Sequence, residues 1–274
     1  MRWAATERVR PGLMLDGGTC VRTFGARSSA HRPQLSLEQY ALSREVEAMT
    51  NKARERMVRY QLHYRGIDDP RVLEAFETVP REDFVADEYR EMAYRDGPIP
   101  IERGQTMSQP YVVALMTEAL DVEAGDTILE IGTGSGYQAA ILAELGARVF
   151  SVERHDALAD RARENLEQCG YGDVTVITGD GSTGLAEHAP YDGMLVTAAS
   201  PSVPMPLLEQ LREGRHLVIP VEESRRHQKL IRITNDGEGR YSRKELGDVA
   251  FVPLIGKEGY DDEQRWRSGL WPSR

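Results

Sequence analysis

Cysteine is scarce in this sequence, which argues against a protein held together by disulfides or by cysteine-bound zinc. Cys20 and Cys169 are the two cysteines among 274 residues, and they do not form a Cys-x-x-Cys pair. A disulfide framework or a cysteine-based zinc site is therefore not expected, and a reducing, cytoplasmic location is predicted. The six histidines also lack the His-x-x-x-His and His-Glu-x-x-His spacings of zinc sites, so we predict no metal.

Long apolar runs and an excess of basic charge are also missing. No segment approaches the roughly 20 apolar residues that a membrane-spanning helix needs. The net charge is -10, which disfavours nucleic acid and anionic membranes because phosphate contacts need a basic surface. The composition, 40% hydrophobic and 28% charged, is that of a soluble globular protein. We expect a monomer that binds neither nucleic acid nor membrane.

The start of the chain differs in composition from the rest. The first 33 residues contain six arginines, no lysine and two acidic residues, and we expect residues 1–35 to form a disordered leader. The remainder is predicted to be a single domain, 36–257, followed by a polar tail. Its parts are N-terminal helices with a serine-containing loop (36–110), a ligand-binding sheet with a closing hairpin (111–257), and the tail (258–274).

Helical and strand patterns alternate along the predicted domain. A first helix is predicted from Ser36 to Gly66, and a second begins after Asp69 as N-cap with Pro70 at its first position. From Asp126 onward, short apolar runs typical of buried strands alternate with helical runs, which indicates a parallel sheet covered on both faces. The predicted strands are 126–131, 147–152, 174–178, 193–197 and 216–221, with helices at 137–145, 156–169 and 206–212 and a C-terminal antiparallel hairpin within 228–254.

A glycine-rich turn, EIGTGSG, follows the first predicted strand at residues 130–136. Glycines in such a turn let a ligand approach the backbone closely, and the N-terminus of the next helix attracts an anionic group. The spacing differs from that of dinucleotide-binding loops, because Tyr137 stands where a third glycine would be expected. Glu130 would repel a pyrophosphate, but its carboxylate can accept a hydrogen bond from an ammonium group, directly or through water. The turn therefore favours an amino acid group as part of the ligand, and its glycines are Gly132, Gly134 and Gly136.

Acidic residues also end the next two predicted strands. Glu153 is placed to accept hydrogen bonds from both hydroxyls of a ribose. Asp180, followed by Gly181, can accept from the exocyclic amine of an adenine whose ring lies close to the backbone. Read together with Glu130, these strand ends describe S-adenosylmethionine as the cofactor. The alternative is that Glu153 and Asp180 only cap turns, which is common for single acidic residues.

Several segments resemble the protein-L-isoaspartate O-methyltransferase family. The segment LEIGTGSGYQAAILAEL is similar to the first motif of class I methyltransferases in general, and GQTMSQPYVVALM (104–116) is the part specific to the family. The resemblance covers roughly residues 52–256. It implies an α/β fold, with a Rossmann-like, doubly wound, mostly parallel sheet, an antiparallel C-terminal hairpin and extra N-terminal helices. Further similar segments are VPREDFV (79–85), AYRDGPIPI (93–101), GDG (179–181), APYDGMLVTAA (189–199), PLLEQLREG (206–214) and VAFVPL (249–254).

The resemblance also implies an activity, methyl transfer from S-adenosylmethionine to the α-carboxylate of isoaspartyl residues in damaged proteins and peptides. It makes Ser108 the active-site serine, whose hydroxyl we expect to orient the acceptor carboxylate. Thr106 can share that task or position the cofactor, and Met107 is predicted to line the cofactor site. From the residues alone, a simple N-cap role for Ser108 at the helix that begins near Pro110 is equally open.

Other functions compete with this interpretation. A class I methyltransferase for a small molecule or RNA would share the cofactor site, a nicotinamide oxidoreductase would share the glycine turn, and a non-enzymatic relative would keep only the fold. The serine loop and the acidic composition argue against the first, and the Gly-x-Gly-x-Gly spacing with Glu130 argues against the second. Two departures from the family pattern, Arg215 and Glu222, place the geometry around the fifth strand in question.

Overall fold

The structure of the protein is a computed structural model that describes residues 48–224 and 227–261. The expected leader, the predicted helix start at Ser36 and the tail from residue 262 lie outside the described residues. Among the residues that are described, no helix is long and apolar enough to cross a membrane.

The described part of the chain begins with two helices. Helix α1 is helical from 48 to 65 and includes a π-helical stretch, Met57–Leu62, and a closing 3-10 turn, His63–Arg65. Helix α2, Pro70–Thr78, begins as predicted, because the side chain of Asp69 accepts a hydrogen bond from the Arg71 amide at 2.8 Å. Its buried residues recur at helical spacing and pack into the main core: Val72, Ala75 and Phe76.

A two-stranded sheet, which the sequence patterns do not predict, carries the serine loop. Strand β1, Ile99–Pro100, pairs antiparallel with strand β2, Thr106–Met107. Helix α3, Pro110–Leu120, starts three residues after β2 ends. Ser108 therefore lies in a two-residue link that is fixed at one end by a strand and at the other by a helix.

The central sheet has seven strands in the order β5-β4-β3-β6-β7-β8-β9. The first five in this order are parallel, whereas β8 runs antiparallel to both of its neighbours, β7 and β9. Adjacent residues of β3 point to opposite faces, so that Ile128 joins one hydrophobic core and Leu129 joins the other. The strands are β3 (Thr127–Ile131), β4 (Arg148–Glu153), β5 (Thr175–Thr178), β6 (Tyr191–Val196), β7 (Leu211–Ser224), β8 (His227–Gly237) and β9 (Arg240–Val249).

The helices between the strands follow the predictions with one exception. Helix α4 spans Tyr137–Glu144 and α5 spans Asp156–Gln168, close to their predicted bounds. Helix α6 is shorter than predicted, Met205–Glu209. It ends early because Leu211 already pairs with Tyr191 as the start of β7. Pairing between the neighbouring strands β6 and β7 thus replaces the last turn of the helix that the sequence pattern predicts.

The C-terminal hairpin is present, but its last predicted segment does not continue as a strand of the sheet. After Val249 the chain crosses the carboxyl ends of the parallel strands, and Pro253 makes an isolated bridge with Ala199. The first residues of the predicted tail also pack, since Tyr260 is 6% exposed and bridges Ile255. Residues 252–260 are called the C-terminal strap below.

Candidate active site

Three adjoining cavities lie at the carboxyl ends of β3, β4 and β6. The strand-end cleft is lined by the glycine turn, Glu153, Gly181 and residues 252–255 of the strap. An inner pocket lies behind the glycine turn and is lined by Met107 and Thr133, among others. The serine groove contains Gln109, Phe251 and Val252. Thr106 and Thr197 line all three cavities, and Ser108 lines the inner pocket and the groove. The strand-end cleft and the serine groove therefore meet at Thr106 and Thr197, and Ser108 lies on the groove side of this junction.

The glycine turn needs glycine at Gly132 for two reasons. Its φ is +94°, and a Cβ atom there would lie 2.3 Å from Thr197 Oγ1. The Thr197 hydroxyl lies against this backbone and donates to the carbonyl oxygen of Gly132 at 2.6 Å. Gly136, with φ of +89°, is the N-cap residue of α4. Glycine is thus required at position 132 by the positive φ and by the close packing of Thr197 against the turn.

Glu153 is placed at the end of β4 as predicted, and its carboxylate is held by the backbone. Oε2 accepts a hydrogen bond from the Gly134 amide and Oε1 accepts one from the His155 amide, each at 3.0 Å. The side chain is only 5% exposed, yet it lines the strand-end cleft. Because each carboxylate oxygen has two acceptor positions, one remains on each for a pair of ligand hydroxyls.

Glu130 lies beneath the cleft instead of lining it. The carboxylate is fully buried, its Oε2 accepts from the Ser151 hydroxyl, and Oε1 has no hydrogen-bond partner among the described residues. Burial raises the pKa of Glu130 to about 8. Ser151 Oγ is in turn 2.5 Å from Thr133 Oγ1, and Thr133 lines the inner pocket. A hydrogen-bonded chain therefore connects the buried carboxylate to the pocket.

Asp180 has the turn-capping role that the sequence left open. Its Oδ1 accepts from the amide and the hydroxyl of Ser182, and Oδ2 accepts from the Lys257 amide at 2.8 Å. Burial alone would raise the pKa of Asp180, but these hydrogen bonds outweigh it and keep the pKa below its usual range. One acceptor position remains on Oδ2, but Asp180 itself is not among the residues that line the strand-end cleft. Asp180 thus fastens the C-terminal strap, and Gly181 lines the cleft.

The serine loop does not show the capping geometry that the sequence also allowed. The N-cap residue of α3 is Gln109, not Ser108, and this helix has no side-chain capping bond. Ser108 is partly buried, Met107 is 4% exposed and Thr106 is exposed. All three line the cavities around the cleft.

The sequence patterns predict no role for two residues of this site, Thr197 and Arg81. Thr197 directly follows β6, and its side chain closes on the glycine turn. Arg81 is fully buried beneath the serine loop and donates to the carbonyl oxygen of Ser108 at 2.6 Å. Both lie in segments that resemble the family, but their roles depend on contacts between distant parts of the chain.

The two departures from the family pattern lie away from the cavities. Arg215 donates to the Asp192 carbonyl at 2.6 Å and pairs with Asp126, which precedes the amino end of β3. Glu222 accepts a hydrogen bond from the Tyr260 hydroxyl of the strap. Neither residue lines the strand-end cleft, the inner pocket or the serine groove.

The sheet order, its antiparallel last strands and the glycine turn with acidic strand ends define the fold of class I methyltransferases, and the predicted fold class is confirmed. A family model described as Protein-L-isoaspartate(D-aspartate) O-methyltransferase (PCMT) matches residues 51–259. The chain therefore belongs to the protein-L-isoaspartate O-methyltransferase family.

Individual relatives agree with this assignment. The sequence is 55% identical over 207 residues to protein-L-isoaspartate O-methyltransferase 2 of Pelobacter propionicus, covering 76% of this chain and 92% of the relative. It is 52% identical to the enzyme of that name from Methanoculleus marisnigri, covering 77% and 96%. Among solved structures, a protein-L-isoaspartate O-methyltransferase matches with a TM-score of 0.68 and 29% identity over 75% of this chain and 67% of that one. A putative one from Plasmodium falciparum, in complex with S-adenosyl-L-homocysteine, matches with a TM-score of 0.65 and 25% identity over 75% and 98%.

Proposed function

We propose that this protein transfers a methyl group from S-adenosylmethionine to the α-carboxylate of L-isoaspartyl residues in damaged proteins. The observation that carries the proposal is the position of Ser108, in a groove that meets the strand-end cleft at Thr106 and Thr197. A peptide carboxylate beside Ser108 can face a methyl donor in the cleft. Among the described residues, no group of three or more potential ligands could hold a metal ion.

The residues of the cleft fit S-adenosylmethionine. The free acceptor positions of Glu153 suit the two ribose hydroxyls, and the backbone of Gly132 and Gly134, which lines the cleft, suits close contact with a ligand. Gly134, Gly136, Gly181 and the remaining acceptor position of Asp180 complete the proposed cofactor site. The buried carboxylate of Glu130 suits an ammonium group through the chain that runs from its Oε2 by way of Ser151 to Thr133. When bound, this cofactor supplies an electrophilic methyl group.

The acceptor needs orientation and no general base. A carboxylate with an unperturbed pKa of roughly 4 is already ionised at neutral pH, which agrees with the absence of a histidine among the residues that line the serine groove. In our proposal the Ser108 hydroxyl donates to one carboxylate oxygen and directs the other toward the methyl carbon, while Thr106 limits movement at the junction of the cavities. Holding two reacting groups in an attack geometry can contribute about 7–11 kcal/mol to lowering the barrier.

Methylation makes the isoaspartyl linkage repairable. The transferred methyl converts the free α-carboxylate into an ester, which has a better leaving group. The following backbone nitrogen attacks the ester carbonyl, methanol leaves, and the resulting succinimide hydrolyses in part to normal aspartate. The later steps require no residue of this protein. Because damage occurs in many sequences, the serine groove should bind peptide backbone and tolerate different side chains.

The proposal also covers the cellular location, the oligomeric state and the class of substrate. The two distant cysteines and the net charge of -10 support a monomeric cytoplasmic enzyme that acts on proteins and not on nucleic acid. Analytical ultracentrifugation of the full chain tests the monomer. A sedimentation coefficient of a stable dimer would contradict it.

The activity itself is tested with two peptides that differ only in one linkage. The protein is incubated with radiolabelled S-adenosylmethionine and either an isoaspartyl peptide or its aspartyl counterpart, and base-labile methyl ester is counted. We expect label on the isoaspartyl peptide alone. Equal labelling of both peptides, or base-stable label only, would contradict the proposed acceptor.

A further inference from the structure

Arg81 is a fully buried arginine with unusual partners. It lies in the 3-10 turn Arg81–Phe84, and no carboxylate forms an ion pair with it among the described residues. Its Nε donates to the Ala93 carbonyl at 2.8 Å, and Nη2 donates to the Ser108 carbonyl at 2.6 Å. Removing a guanidinium from water costs several kcal/mol unless its partners compensate. Burial accordingly lowers the pKa of Arg81.

Stability alone does not account for such a residue. Replacing buried charged groups with apolar residues of similar size is often neutral or stabilising. What a guanidinium provides is geometry, because its planar fork can donate to two separated acceptors at fixed angles.

The contacts of Arg81 join the two halves of the candidate site. On one side it holds the backbone of Ser108 in the serine groove. On the other side the guanidinium lies 4.7 Å from the ring centre of Tyr137, which is the first residue of α4 and directly follows Gly136 of the glycine turn. Tyr137 is itself fixed, since it is 1% exposed and packs edge-on against Phe84 at 5.6 Å.

We propose that Arg81 is a positioning residue that sets the distance between the serine loop and the glycine turn. The inference rests on the proposed function, since it concerns the alignment of the acceptor at Ser108 with the methyl donor. Arg81 does not touch the reacting atoms and acts through the backbone of Ser108. A misplacement of about 1 Å can reduce the rate of a reaction on the order of 100-fold, so a small shift of this loop should be visible in kcat.

The test compares Arg81→Lys and Arg81→Met with Arg90→Lys. Lysine keeps the charge but lacks the planar fork, because its donors all radiate from one nitrogen atom, and methionine keeps the approximate length without charge. Arg90 pairs with Asp83 at the surface nearby and is the matched control. Both Arg81 variants should lower kcat for an isoaspartyl peptide about tenfold to 100-fold. The affinity for S-adenosylmethionine should stay within about twofold, as should every value for the control.

A double-mutant cycle separates positioning from general support of the fold. If Arg81 acts through Ser108, then Arg81→Lys should cost less than about threefold in kcat when Ser108 is already alanine. Wild-type kcat in Arg81→Lys, or costs that multiply fully in the double variant, would overturn the inference. So would a loss of cofactor affinity that matches the loss of kcat. If Arg81→Met does not fold, Arg81→Lys and its cycle still decide the question.

The wild-type protein distinguishes this inference from the proposed function. If it fails to methylate the isoaspartyl peptide, the proposed function is wrong. If it methylates the peptide and the Arg81 variants retain full kcat, only the positioning role is wrong.

Discussion

Glu153→Ala should weaken the binding of S-adenosylmethionine by about 2 kcal/mol or more, since hydrogen bonds to a charged acceptor contribute roughly 1.5–3 kcal/mol each. At about 1.4 kcal/mol per tenfold change, this corresponds to a dissociation constant raised about 30-fold. The structure gives a second reason for the loss, because the same carboxylate also accepts from the amides of Gly134 and His155. Without it, the glycine turn loses one of its supports.

Isothermal titration calorimetry with S-adenosylmethionine measures this loss directly. Glu153→Gln is a useful second variant, because its amide nitrogen must face one of the two backbone amides and can no longer accept there. It should bind more weakly than the wild type. Glu164→Ala, on the exposed face of α5, is the matched control and should bind normally. Unchanged affinity in Glu153→Ala would refute the assignment of this residue to the ribose hydroxyls.

Three further variants test the rest of the site. Ser108→Ala should lower kcat for an isoaspartyl peptide about tenfold or more, by loss of one hydrogen bond to a charged group, with cofactor affinity within about twofold; equal losses in both measurements would speak against orientation of the acceptor. Glu130→Gln should abolish a proton release on cofactor binding at pH 7, measured by calorimetry in buffers of different ionisation enthalpy. Glu130 holds a proton below its pKa of about 8, and a nearby ammonium group would lower that pKa; identical release from both proteins would disprove the link. Gly132→Ala should lower the melting temperature and the cofactor affinity, because its Cβ would lie 2.3 Å from Thr197 Oγ1. Gly97→Ala, whose Cβ would point into open space, should change neither. An unchanged melting temperature and unchanged affinity for Gly132→Ala would contradict the close packing of Thr197 against the glycine turn.

Local patterns in the sequence were sufficient for much of the fold. Asp69 followed by Pro70 marks the start of α2, and the structure shows the expected capping bond. Short apolar runs separated by helical segments predict the parallel strands, because both signals depend on residues that are neighbours in sequence. The same holds for the glycine turn and for Glu153, which directly ends its strand.

Contacts between distant segments limited the rest. The short pair β1 and β2 has too few residues for a recognisable strand pattern, and α6 ended early because Leu211 pairs with Tyr191. The position of Asp180 at a strand end predicts a contact with the cofactor, but its contact with the C-terminal strap involves Lys257, which lies 77 residues further along the chain. Arg81 carries no local signal of burial, since charged residues are mostly exposed and its partners, Ala93 and Ser108, lie 12 and 27 residues away.

A crystal structure of the protein with S-adenosylhomocysteine and an isoaspartyl peptide would show the cofactor site and the acceptor site together. We expect the two ribose hydroxyls within hydrogen-bonding distance of Glu153 and the α-carboxylate of the peptide bound to Ser108 Oγ, with one carboxylate oxygen facing the sulfur. A nucleoside bound outside the strand-end cleft, or a peptide carboxylate held away from Ser108, would contradict this arrangement.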